Sequence, residues 1–244
     1  MIYSIKNIML SGYRRSRVYV KRMMRVEPSI HVTFKSILEY HGNKGYGGWA
    51  IPINIISSES VVVDVGLGED ISFSESLILK YGCNVHGFDP TPKAISYIDK
   101  RKNSKFQLHK LGLARSCRSA VFYLPVNSNH VSGSLTKSNH IGNEKIEVQL
   151  IDTDGIIQLI KKDRIDLLKI DIEGAEYEVL NSESFMSNAP RIKILCIEFH
   201  HRWNEFGVDS TIAAVEILNK MGFECVWRAC ESNEEFTFIN RSLK

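Results

Sequence analysis

The chain has 244 residues and a formal net charge of +3; 43% of residues are hydrophobic and 24% charged, with only 16 glycines and 6 prolines. That composition excludes a disordered, collagen-like or low-complexity chain and suits one large folded domain with an extension. No apolar run approaches the ~18–20 residues that cross a bilayer as a helix, and five cysteines without a CxxC pair suit a reducing cytoplasm better than a disulfide framework.

In chain order, the first feature is a basic arm. Lys6, Arg14, Arg15, Arg17, Lys21, Arg22 and Arg25 occur in residues 1–26 without an acid, whereas the remainder carries 24 basic and 28 acidic residues. Ile2, Ile5, Met9, Tyr13, Val20, Met23 and Met24 lie among those cations and predict one or two irregular amphipathic helices. Met9-Leu10 leads into Ser11-Gly12-Tyr13-Arg14-Arg15 rather than the apolar core of a cleavable leader. Residues 1–45 therefore read as a basic helical extension, suited to meeting phosphates or an anionic membrane surface and equally consistent with a solvated helix face.

From Val61 the pattern alternates between β-rich and helical runs. Val61–Val65 is an apolar run ending in Gly66, as a buried parallel strand should be. A helix is predicted over Asp70–Lys80, with Gly82 as its stop. Val85–Asp89 predicts a second strand, and Thr91-Pro92 opens a helix to about Lys100. Further strands are predicted over Phe106–Leu113, Ile165–Ile172 and Ile192–Phe199, with helices over Ala175–Phe185 and Thr211–Met221. Alternating runs at Ala120–Leu124 and Lys145–Leu150 flank a polar loop and read as an insertion at the ligand end of the sheet. Phe223–Ala229 and Glu235–Asn240, joined by a short polar turn, predict a final antiparallel hairpin. The expected fold is a doubly wound α/β domain.

Ligands in such sheets bind outside the carboxyl ends of the strands, near the switch point. That selects the loop Asp64-Val65-Gly66-Leu67-Gly68-Glu69-Asp70 and Asp89. Gly66 and Gly68 allow a tight turn and close approach, and an acid at Asp89 is placed to accept from ribose hydroxyls. These features suit a dinucleotide or S-adenosylmethionine. Charge separates the two: Glu69 and Asp70 occupy the turn where a pyrophosphate needs bare amides. Two unit charges ~5 Å apart at an effective dielectric near 20 interact by roughly 3 kcal/mol, here repulsive toward a phosphate. A sulfonium donor carries cations instead. Asp70 is also a natural helix cap.

Asp171 and Glu173 end the apolar run Leu167-Leu168-Lys169-Ile170, and period-two alternation aims both the same way. Paired carboxylates there are costly unless they bind something, although Lys169 offers a structural counter-ion. Glu176 complements the dipole of the following helix. Glu198 and His200 share a face at the end of the next strand, with His201 on the other. Transfer to an alcohol needs a base beside the oxygen; His200 is the first candidate and Asp171 the second. Asp171 and Glu198 also suit a divalent cation, though nothing in the spacing requires a metal.

Tyr46-Gly47-Gly48-Trp49, Val63-Asp64-Val65-Gly66-Leu67-Gly68-Glu69-Asp70, Phe88-Asp89-Pro90-Thr91-Pro92 and Lys169-Ile170-Asp171-Ile172-Glu173-Gly174-Ala175-Glu176 together resemble the FkbM-family methyltransferases, from residue 46 to the final hairpin. The resemblance implies a Rossmann-like (class I) methyltransferase domain over residues 46–244, with a mostly parallel seven-stranded sheet, and S-adenosylmethionine as donor. It places Asp64, Gly66, Gly68 and Asp89 around the donor, with Tyr46 and Trp49 as a flanking wall. Asp70 and Pro90 in the same loops join the donor-site candidates, and His200, Asp171, Glu173 and Glu198, taken from the strand ends themselves, are the catalytic candidates. Members commonly O-methylate sugars, glycolipids or polyketide-type hydroxyls, often within polysaccharide or natural-product gene clusters. Glu69-Asp70 departs from the continuation seen in many members. The loop Asn127–Ser134 offers groups suited to a polyol acceptor. A nicotinamide-dependent oxidoreductase and a non-catalytic donor-binding protein are the rival readings. Nucleic acid is not expected as a partner, because the body is net acidic and lacks aromatic–basic interleaving.

Overall fold

The computed structural model describes residues 2–125 and 141–243, with side chains over 9–122 and 145–243. The loop over residues 127–134 lies outside the described residues. The arm forms a single helix, α1 (Ile2–Met23), within the expected one or two. The rest of the expected helical extension differs: Leu38–His41 is a strand, β1, which pairs antiparallel with β2 (Trp49–Pro52). The connection over residues 42–48 is too long to carry the short-turn signature of a hairpin, which hid this pair in the sequence.

The central sheet is built from β3 (Val61–Val65), β4 (Asn84–Phe88), β5 (Phe106–His109), β9 (Ile165–Ile170), β10 (Ile192–Glu198), β11 (Phe223–Arg228) and β12 (Glu235–Asn240), in the order β11-β12-β10-β9-β3-β4-β5. Pairings among β5, β4, β3, β9 and β10 are parallel; those of β12 with β10 and β11 are antiparallel. Every residue of β3 and β9 is buried, because helices cover both faces of a parallel sheet and leave neither side for polar residues. This is the expected doubly wound fold with its terminal antiparallel hairpin.

Helix α2 (Ser72–Tyr81) ends at Gly82, whose φ of 68° lets its N–H return to the Ile78 carbonyl at 2.8 Å, the left-handed cap that glycine adopts without strain. Helix α3 (Pro92–Asp99) starts at its expected proline. The predicted strand 106–113 divides: Gly112–Leu113 forms β6, which joins β7 (Arg118–Pro125) and β8 (Ile141–Ile151) in a separate sheet, order β6-β8-β7. The predicted helix 175–185 also divides, into α5 (Glu176–Leu180) and α6 (Glu183–Asn188). Ser182 accepts from the Phe185 N–H at 3.1 Å, and this N-cap outcompetes continuation of the first helix. Helix α4 (Thr153–Ile160), capped by Asp152 on the Gly155 N–H at 2.9 Å, was not anticipated, although Ile156, Ile157 and Ile160 bury one face of it. Helix α7 (Gly207–Lys220) precedes the final hairpin.

The chain runs β3–α2–β4 to one side of β3, and β9 lies on the other. The switch point is therefore between β3 and β9, where Gly66 and Asp171 follow the two strands. Gly66 has φ 80°, and a Cβ there would run into the Asp171 carbonyl oxygen. The Asp171 N–H donates to the Val65 carbonyl at 3.0 Å. The two loops are locked backbone to backbone, so groups on them hold fixed positions.

Candidate active site

A cavity of about 330 Å³ opens at this switch point. Its wall includes Asp70, Asp89, Asp171, Glu173, Glu198 and Glu235, against one ammonium, Lys169. Gly66, Gly68, Pro90 and Tyr46 also line it. The cavity thus concentrates negative charge in a partly enclosed space, where a cation gains most and a phosphate loses most.

Four expectations are corrected by where the side chains lie. Trp49 is 1% exposed and packs edge-on against Phe73, with the Lys169 ammonium 5.0 Å from its ring centroid; it lies behind the cavity and forms no wall. Tyr46 alone supplies the aromatic face at that point. Asp64 is likewise buried behind the cavity, with Lys169 Nζ at 3.0 Å and the Ser74 hydroxyl donating at 2.6 Å. Asp64 and Lys169 are register partners on adjacent parallel strands, so the counter-ion expected for Asp171 and Glu173 is shared with Asp64. Burial works against the Lys169 ammonium, but Asp64 and then Asp171 outweigh it and hold its proton more tightly.

Asp89 lines the cavity but spends its lone pairs on the loop. One oxygen accepts from the Leu67 and Gly68 N–H groups at 3.0 and 3.1 Å; the other accepts from the Thr91 N–H at 2.8 Å and the Thr91 hydroxyl at 2.6 Å. Four bonds use the four acceptor sites of a carboxylate, so Asp89 shapes the glycine loop instead of offering free oxygens to ribose. Asp70 accepts from the Ser72 N–H at 2.7 Å and from Asn43 at 3.0 Å, tying the start of α2 to the β1–β2 connection, while the N-cap position itself falls on Ile71. Glu69 is exposed and is not part of the cavity wall.

The fourth correction concerns His200. Its Nδ1 meets Glu176 Oε1 at 2.8 Å, and its Nε2 lies 3.2 Å from Glu173 and 3.9 Å from Asp171. Burial disfavours a charged ring, but Glu176 and then Glu173 outweigh it and raise the pKa well above the usual histidine value. Both ring nitrogens already face carboxylates, which favours the protonated ring and makes His200 a weaker candidate for the resting base than Asp171. Asp171 suits that task. Burial pushes its carboxyl up to about 6, against the lowering effects of Lys169 and His200, with Glu173 and Glu176 adding to the rise. A base of that strength is ionised at neutral pH and still basic enough to take a proton. Glu198 is raised well above the ordinary carboxyl value by burial, then by Asp171 and by Glu235, its direct cross-strand neighbour in the antiparallel pair. Like charges so placed oppose folding, which marks this edge as shaped for a ligand.

Asp171, Glu198 and His200 bring one potential ligand atom each within 4.8 Å of one another. Both His200 nitrogens are engaged by carboxylates, and no step is assigned to a metal. Two acids were not recognised at their full weight. Glu176 is fully buried and accepts from the Gly174 N–H, the His200 N–H and the His200 ring, so it positions the imidazolium rather than answering a helix dipole. Glu27 is 1% exposed and accepts from His201 at 2.8 Å, Arg202 at 2.9 Å and Asn233 at 3.2 Å. An acid four residues beyond a helix carries no sequence signal of so distant a partnership.

Known proteins resemble this chain in part. A human protein named probable methyltransferase-like protein 24 is 28% identical over 153 residues, which is 62% of this chain and 35% of that protein. Its rat counterpart is 27% identical over the same length, covering 36% of it. The chain thus spans about a third of the curated relatives it matches. Among solved structures, a Methanococcus jannaschii fibrillarin pre-rRNA processing protein superposes with a TM-score of 0.45 at 14% identity, covering 77% of this chain and 69% of that one. A Streptococcus mutans protein in complex with SAH gives 0.44 at 11% identity, covering 75% and 88%. The strand order observed here, not these likenesses, defines the fold. Residues 63–225, from β3 through β11, match the methyltransferase FkbM domain, and the chain belongs to the FkbM methyltransferase family.

Proposed function

We propose that this protein is an S-adenosylmethionine-dependent O-methyltransferase of the cytoplasm, acting on a hydroxyl of a sugar, glycolipid or related secondary-metabolite acceptor. Residues 46–244, completed by β1, form the catalytic domain. The observation that carries the reading is the cavity at the β3–β9 switch point, where six acidic side chains face one ammonium among the described residues of its wall. Such a wall fits a sulfonium and an ammonium and repels a pyrophosphate. The five cysteines are free thiols, in keeping with a reducing compartment, and no helix among the described residues is long and apolar enough to cross a membrane.

When bound, the donor supplies an electrophilic methyl group. The chain does the rest by holding and aligning. Asp89 sets the glycine loop, and the Gly66–Asp171 contact fixes that loop against the turn carrying the base. Alignment of this kind supplies roughly 7–11 kcal/mol of a barrier, and a positioned base adds about 10²–10⁴-fold. Asp171 takes the proton of the acceptor hydroxyl. The His200 imidazolium, held by Glu176 and Glu173, keeps Asp171 ionised near neutral pH. Calorimetric titration with S-adenosylmethionine and with NADH, followed by an acceptor screen using methyl-labelled donor, tests the assignment. Binding of S-adenosylmethionine that NADH does not displace, and label transfer to a hydroxyl, are expected; displacement of S-adenosylmethionine by NADH, or NADH binding with no S-adenosylmethionine binding, refutes it.

A further inference from the structure

A second, larger cavity of about 890 Å³ adjoins the first and has the opposite charge. It is a groove between α1 and the body, and it shares Gly45, Tyr46, Gly47 and Glu235 with the donor cavity. From α1 come Arg14, Arg15, Arg17 and Lys21; Lys44, Arg202 and Arg228 come from the body; Glu231 and Glu235 are its acids. Tyr46, 62% exposed, stands where the two cavities meet.

The groove's cations are only partly satisfied. Arg14 and Arg15 approach Glu231 at 3.6 and 3.9 Å, exposed contacts of little energetic weight. Lys21 and Arg202 share Glu27 at 3.5 and 2.9 Å, and Arg202 also meets Glu234 at 2.6 Å. Among the described residues no ion pair is recorded for Arg17 or Lys44. The Nε atoms of Arg228, which lines the groove, and of Arg22 on α1 are buried without a hydrogen-bond partner, although Arg228 also donates to the Ile30 carbonyl at 3.0 Å. Burial and then the nearby Arg228 weaken the hold of Arg22 on its proton. Folding has therefore gathered like charges against electrostatic repulsion, which an anion at this place would relieve.

We infer that the groove binds the anionic part of the methyl acceptor, a phosphate or diphosphate ester, and delivers its hydroxyl past Tyr46 into the acidic cavity. This rests on the methyltransferase reading and narrows its acceptor class. A cationic donor and an anionic acceptor then enter neighbouring sites of opposite sign. Each site repels the other's ligand, so charge alone sorts the two substrates.

The test uses the full chain and its R17E/K44E variant, two exposed positions whose reversal leaves the buried network of Glu27 intact. Inorganic pyrophosphate is titrated into both, and S-adenosylmethionine in parallel. Wild type is expected to bind pyrophosphate, more weakly as salt rises; the variant is expected to bind it roughly tenfold or more weakly, with donor affinity within about twofold. In a labelled-donor assay, neutral sugars are compared with their phosphate and diphosphate esters, and with polyprenyl diphosphate sugars in phosphatidylcholine vesicles. Turnover of the free esters assigns a soluble acceptor, and turnover of the vesicle-borne form alone assigns a lipid-linked one; either upholds the inference. Pyrophosphate binding that is absent, or unchanged in the variant, overturns it, as does a neutral sugar turned over as well as its ester. Pyrophosphate binding without donor binding upholds the groove and removes the donor-site reading instead.

Discussion

The pH dependence of turnover is the sharpest consequence of the site's electrostatics. Asp171, with its carboxyl pushed up to about 6, is about nine-tenths ionised at pH 7 and about one-tenth ionised at pH 5. A base must be deprotonated to act, so kcat at saturating donor and acceptor should fall about tenfold as pH drops from 7 to 5. Lys169, His200, Glu173, Glu176 and Glu198 face this carboxyl, and the first two hold its pKa down. Replacing His200 by Gln removes one of those cations and should move the acid limb to higher pH, while activity recovers above it. Replacing Asp171 by Asn should lower kcat by about 10²–10⁴-fold and abolish the limb. Initial rates with labelled donor between pH 4.5 and 9, with melting curves to show that each variant is folded, make the measurement. If the limb survives in Asp171→Asn, or if His200→Gln loses activity at every pH, the proton passes through His200 and the assignment of Asp171 fails.

Two further outcomes follow from the packing. Glu27, held down at about 2 by His201, Arg202 and Asn233 against its burial, contributes roughly 3 kcal/mol at pH 7, present above its unfolded pKa and lost as pH falls from about 4.5 toward 2. Urea unfolding of Glu27→Gln should show that deficit at pH 7 and a much smaller one at pH 3; an equal deficit at both would remove Glu27 as a charged hub. Replacing Gly66 by Ala puts a Cβ into the Asp171 carbonyl at a φ of 80°, a backbone clash and a strained conformation together. A loss of about 3 kcal/mol or more, or failure to fold, is expected; an unchanged melting temperature would show that the two loops are not locked as described.

The central sheet was legible because its strands announce themselves. Val61–Val65 and Ile165–Ile170 are continuous apolar runs, and Gly82 and Pro92 mark helix boundaries by backbone chemistry that acts locally. Elements whose boundaries depend on competition or on distant partners were not legible. Ser182 broke one predicted helix by offering a better cap, and Gly112–Leu113 left one predicted strand to join another sheet. At the site, strand-end positions brought Gly66, Gly68, Asp70, Asp89, Pro90, Asp171, Glu173 and Glu198 to one cavity, because residues after parallel strands all emerge at the same edge, whereas Tyr46, which joins them from the β1–β2 connection, was placed only by the family resemblance.

The sequence alone thus pointed to the strand ends where the candidate cavity opens and to the acidic residues around it. Tertiary structure decided what each acid does there. Asp64 turns to Lys169, Asp89 to the loop amides and Glu176 to His200, and proton affinity depends on such neighbours and on lost water, neither of which a residue's place in the chain reveals. The opposed charge of the groove beside α1 has the same origin: residues 14–17, 44 and 202 are far apart along the chain, and only folding puts their cations on one surface.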